Sequence, residues 1–116
     1  VFFKAKSPLE LANWYKQYLG LNTFEWGGAI FPWGNLANVK SNAFNIWAPM
    51  EDTADYFAPS QQNFMINFVV DNLEELVQQL QEQNLAISDI QVQEQGKFAW
   101  IIDPEGNKVE LWEPKQ

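Results

Sequence analysis

Val109-Glu110-Leu111-Trp112-Glu113-Pro114, near the end of the chain, restates Phe44-Asn45-Ile46-Trp47-Ala48-Pro49, which lies 65 residues earlier. Trp and Pro fall in the same places in both, and apolar residues flank the same central polar position. A chain folded twice from one unit builds its site where the units meet. The offset therefore bears on the architecture and on the residues that should line a site. It also extends backwards along the chain: Phe3 matches Phe68, Ser7 matches Asn72, Glu10 matches Glu75 and Leu11 matches Leu76.

The surrounding pattern predicts β-α-β-β-β, twice. Val1–Lys6 reads as a short apolar strand. Ser7-Pro8-Leu9-Glu10 is a capping box, with Ser7 as cap, Pro8 at the first helical position and Glu10 reaching back. The helix that follows is expected to bury Leu11, Trp14, Tyr15 and Tyr18, and Gly20 ends it. Strands are predicted at Thr23–Trp26, Ala29–Trp33 and Asn42–Ala48, the first two joined by Gly27-Gly28. Residues 50–63 are polar and read as a linker between module one (1–49) and module two (64–116). In module two the strand Phe64–Val70 precedes a helix capped by Asn72 and striped by Leu73, Leu76, Val77 and Leu80, which Asn84 can close. Strands Ile87–Val92, Lys97–Ile102 and Lys108–Glu113 complete the unit. Asp103-Pro104-Glu105-Gly106-Asn107 reads as a tight turn, since it lacks the repeated acidic ligands of a calcium loop.

Composition narrows the function. Over 116 residues, 47% are apolar and 16% aromatic, enough for a core without staples. No run is long and apolar enough to span a membrane, and no segment reads as a secretory leader. Cysteine is absent, which suits a cytoplasmic protein. Histidine is absent too, which removes the commonest transition-metal ligand and the commonest general base near neutral pH. The net charge of −8 argues against nucleic acid as a partner. It favours a cationic ligand only weakly, solubility being its plainer consequence.

The chain resembles the vicinal oxygen chelate superfamily, which includes glyoxalase I, extradiol dioxygenases and bleomycin-resistance proteins. The resemblance spans the whole chain. It is carried by the run from Phe98 to Trp112, by Ser7-Pro8-Leu9-Glu10 through Trp14-Tyr15 to Leu19-Gly20, and by Phe68-Val69-Val70-Asp71-Asn72-Leu73. It implies an α+β fold of two tandem βαβββ modules, a U-shaped mixed sheet around a cleft, helices on the outer face, and a homodimer. In the family's metal-dependent members, ligands come from the first and last strand of each module. Carried over, those positions are Asn45, Glu110, Met65 and a residue just before Val1. One carboxylate, one amide and a thioether hold a hard cation poorly. No metal and no other cofactor is therefore expected, a divalent ion being the lesser alternative.

Strand alternation puts Glu110 in the cleft, either as a ligand-binding group or general base, or as a carboxylate satisfied by water, Lys108 or Lys97. Trp47 and Trp112 should share the face of Asn45 and Glu110, where they either wall a pocket or fill it. Met65 and Asn67 face the same cleft if Ile66 and Phe68 pack on the helix. Lys4 is placed there too, as a partner for Glu110. Tyr56 and Phe57, in the linker, form either a lid or a solvated connection, and no face is assigned to Trp26, Trp33 or Trp100. The function expected is metal-independent binding of a small molecule, cationic or aromatic, in an aromatic cleft. The alternatives are a lyase, isomerase or dioxygenase-like enzyme using Glu110 as base or metal ligand, and a non-catalytic assembly module.

Overall fold

The computed structural model describes residues 1–34 and 42–115, which form two helices and seven strands. In order these are β1 (Phe2–Ala5), α1 (Pro8–Leu19), β2 (Ala29–Pro32), β3 (Phe44–Glu51), β4 (Phe64–Val69), α2 (Leu73–Glu82), β5 (Gln91–Gln93), β6 (Gly96–Ile102) and β7 (Lys108–Pro114). The strands make one open, mixed sheet in the order β2-β3-β1-β4-β7-β6-β5. Within each half the first and last strands run parallel, β1 with β3 and β4 with β7. The halves join at the centre, where β1 pairs antiparallel with β4. No helix among the described residues is long and apolar enough to cross a membrane.

The main core lies under α2. Leu73 and Val77 of the helix meet Ala99, Val109 and Leu111 of the sheet, with Leu76 and Leu80 partly buried beside them. Residues next to these on β6 and β7, Trp100, Glu110 and Trp112, point to the other face, because strand side chains alternate. The helical stripe expected for α1 is rotated. Pro8 and Ala12 are its buried residues, while Trp14 and Tyr18 are half to two-thirds exposed and pack on one another at 5.2 Å. Ala12 is small enough to bring the helix axis close to the sheet, and the bulky rings are turned outwards.

Two expected strands are not formed as such. Thr23–Trp26 is a turn, closed by Phe24 N–H donating to Gly28 O (2.8 Å) and Gly27 N–H donating to Phe24 O (2.9 Å). Trp26 folds back over Gly28, where any Cβ would strike its ring. In the segment 87–92 only Gln91 and Val92 are extended, in β5. Ile87 and Ile90 both pack on the α2 core, and residues three apart on a strand would face opposite sides. The Asp103 turn is self-contained: its carboxylate accepts from the N–H of Glu105 and of Asn107 and from Asn107 Nδ2, each at 2.9 Å. These bonds hold Asp103 below the usual carboxylate range, led by that to the Asn107 side chain.

The two helix starts look equivalent in sequence but differ in bonding. Asn72 Oδ1 accepts from Glu75 N–H at 3.1 Å, whereas Ser7 makes no side-chain cap bond. Asn72→Ala should therefore cost about 1 kcal/mol, and Ser7→Ala only about 0.3 kcal/mol, in urea denaturation. Equal losses would show that both caps act alike.

Candidate functional site

The 65-residue offset holds for the first strand and helix of each half but not for the last strand. Phe2 lies opposite Ala48, and Asn67, the match of Phe2, lies opposite Glu110. Module two thus reaches its last strand three residues sooner. An odd slip turns every side chain to the other face. Ala48, not Asn45, occupies the place in module one that Glu110 holds in module two.

The slip corrects the placement of Trp47. Its ring packs on Tyr15 of α1 at 4.9 Å and on Phe3 at 5.4 Å, on the helix side of the sheet. Phe44 and Ile46 take the cleft side in its stead. Met65 does share the sheet face of Phe2 and Asn67 but is fully buried, so it fills the core and is not in the lining of the cavity that Glu110 borders. Lys4 is not placed beside Glu110 either; its Nζ lies 5.8 Å from the Phe57 ring centre. Asn45, Asn67, Glu110 and Trp112 do border one cavity.

That cavity has a volume of about 890 Å³. Phe98 and Trp112, cross-strand neighbours on β6 and β7, give it two nearly parallel rings 6.1 Å apart. Phe44 of the other half meets Trp112 at 4.6 Å and 60°, making an aromatic corner from both halves. Trp112 is locked by donating Nε1–H to Gln95 O at 2.9 Å. Trp26, Phe31 and Trp33 border the cavity on the β2 side, and Asn45 Oδ1 accepts from Trp33 Nε1 at 2.6 Å.

Glu110 is only 3% exposed. Its Oε2 accepts from Tyr56 Oη at 2.6 Å and from Trp100 Nε1 at 2.9 Å, and its Oε1 accepts from Asn67 Nδ2 at 2.8 Å. Three donors answer the cost of taking a carboxylate out of water. Neither Lys97 nor Lys108 satisfies it by contact. Lys97 pairs with Glu74 at 2.9 Å, and Lys108 Nζ donates to Tyr56 O at 2.6 Å. Lys108 also stands over the rings of Tyr56 (5.1 Å) and Trp100 (5.5 Å). Burial holds it below the usual lysine range, against the pull of Glu110 and Asp55.

Sequence reasoning missed Tyr56 as a donor and left Trp100 without a face. The register signal for Trp100 was available once the β6–β7 turn was recognised, because Trp100 stands directly opposite Glu110. Tyr56 left no such signal, since it comes from a loop.

No family model matches the sequence, and no curated protein does. Solved structures do match. A Legionella pneumophila protein described as an NAD-dependent benzaldehyde dehydrogenase overlays at a TM-score of 0.61, covering 98% of this chain and 96% of its own, with 15% identity. A putative glyoxalase family protein from Bacillus anthracis overlays more loosely (TM-score 0.43, 19% identity, 98% and 91% covered). So does a bleomycin-binding protein in complex with bleomycin (0.44, 18%, 98% and 95%). The overlay at 0.61 shows a shared α+β fold, two helices on one open seven-stranded mixed sheet. At these identities the likeness is one of fold alone.

The ligand positions that the resemblance implies are engaged or buried within the protein. Glu110 already accepts three hydrogen bonds, Met65 is buried, Asn45 is engaged by Trp33, and register puts Ala48 where a ligand would be needed. Among the described residues no three His, Cys, Asp or Glu side chains cluster.

Burial, then the bond to Glu110 and its charge, hold the Tyr56 hydroxyl well above its ordinary value of 10.0. A raised folded value means that the stability it contributes is complete below pH 10 and is lost as pH rises through that raised value. Tyr56→Phe should cost about 1–3 kcal/mol at neutral pH, by leaving one buried carboxylate lone pair unanswered. The variant should also lose less further stability than the wild type between neutral pH and strong alkali. Parallel alkaline profiles in urea melts would contradict this role.

Proposed function

We propose that the protein binds a small organic molecule in the cavity between its two halves, without a metal ion. The observation that carries this reading is the aromatic cavity itself, whose carboxylate is tied to neutral donors of the protein. Its volume of about 890 Å³ suits a drug-sized ligand. Phe44, Phe98 and Trp112 offer ring faces, and the locked Trp112 side chain is held ready at little entropic cost.

The reading without a metal rests on the chemistry of the donors. A cation at Glu110 would have to displace Tyr56, Trp100 and Asn67 from the carboxylate, with one amide and a thioether as the remaining help. Use of Glu110 as a general base meets the same obstacle, since both its oxygens are engaged. The similarity of fold to a bleomycin-binding protein agrees with a binding role and does not name the ligand. A homodimer belongs to the same proposal; the exposed Trp14, Tyr18 and Leu19 of α1 are the kind of surface that association would cover, and light scattering tests it.

Two measurements check this reading. Protein purified without added metal should carry no stoichiometric ion, and its melting temperature should not respond to Mg²⁺, Mn²⁺, Zn²⁺ or Ni²⁺. An ion bound one to one, and lost in Glu110→Ala, would overturn the metal-free reading. In a screen of small organic molecules, binders should quench tryptophan fluorescence, and Trp112→Leu should weaken them by roughly tenfold or more. Binders indifferent to Trp112→Leu would place the ligand elsewhere.

A further inference from the structure

Among the described residues that border the cavity, Glu110 is the one side chain with a formal charge. Among the described residues no direct ion pair cancels it, and the Val1 amino group, which also borders the cavity, feels its field without contact. The ion pairs of the described residues join Lys97 to Glu74 and Glu113. Lys108 feels its field, but it sits behind Tyr56 and Trp100 and borders a separate groove of about 430 Å³. The cavity thus combines one buried negative charge with the faces of Phe98, Trp112 and Phe44, which carry negative quadrupoles. Both features favour a cation. Lys108, stacked over two rings next to the same carboxylate, shows that chemistry already at work on the far side.

The hydrogen-bonding inventory narrows the kind of cation. Glu110 accepts three bonds and is almost wholly buried. Asn45 Oδ1 takes Trp33 Nε1, and Gln95 O takes Trp112 Nε1. Asn67 Oδ1 has no partner but is sealed from solvent. A primary ammonium entering this cavity would leave three strong hydrogen bonds to water, and the side-chain acceptors left to replace them are the amides of Gln93 and Gln95 at its exposed rim. A quaternary nitrogen has no N–H to satisfy. It needs only the field of the carboxylate and the ring faces.

We infer that the cavity selects an organic cation that lacks N–H donors, of the quaternary-ammonium or N-alkylated heteroaromatic class. The inference rests on the small-molecule reading above and adds the charge and the substitution of the ligand.

Three probes of one shape separate the contributions: benzyltrimethylammonium, its uncharged carbon isostere neopentylbenzene, and benzylammonium. Binding to the wild-type protein is followed by ligand-observed NMR up to the solubility limit of each probe. The quaternary cation should bind about tenfold tighter than either of the others. Added salt should weaken the quaternary cation and leave the neutral isostere unchanged. Glu110→Gln should erase the preference for the cation while keeping the neutral isostere bound; if that variant does not fold, the wild-type series and its salt dependence decide. A neutral isostere that binds as tightly as the cation, or a tighter benzylammonium, would overturn the inference and leave the small-molecule reading standing. No binding by any of the three would overturn both.

Discussion

A carboxylate in the middle of a sheet, 3% exposed, sets terms for everything around it. Glu110 must be answered by donors, and those donors come from β4, from β6 and from the loop between the halves. Each donor fixes more than itself. Asn67 has to turn its amide nitrogen to the carboxylate, because an oxygen there would repel it, and its own Oδ1 is left buried without a partner. That orphan costs about 1–3 kcal/mol. Tyr56 ties the inter-module loop to the floor of the sheet, and Lys108 holds the same residue through its carbonyl. The loop is thereby anchored at the cavity wall, with Phe57 beside it only 1% exposed.

The anchoring separates two roles that one carboxylate could have played. A Glu110 open to the cavity would be a ligand for a cation or a base for a proton. Here three of its lone pairs are spent inside the protein, while no cation among the described residues cancels its charge by contact. What Glu110 sends into the cavity is a field, set among aromatic side chains from both halves.

The halves themselves are repeats of unequal length. Cap, helix and first strand keep one offset, and the last strand breaks it by three residues. An odd difference exchanges the two faces of a strand, so Trp47 and Trp112 occupy like positions in sequence and opposite sides in space. The pseudo-symmetry that makes the fold is therefore not shared by the site. One half supplies the buried carboxylate and the stacked rings, and the other supplies Ala48 and the facing Phe44.

The sequence by itself determined the α+β class, both helices, the α2 stripe, the Asp103 turn and most strands. Those follow from local periodicity, caps and turn residues, which act over a few neighbours. It also brought Glu110, Asn67 and Trp112 together, because alternation along adjoining strands needs only their directions. It failed where the answer lay between segments far apart in the chain. Strand register at β1–β3 decided the face of Trp47, close packing at Ala12 decided that of Trp14, and the path of a loop brought Tyr56 to Glu110. Only the tertiary structure could decide these, because each depends on which atoms compete for one buried carboxylate or one helix face, and such competition leaves no period in the sequence.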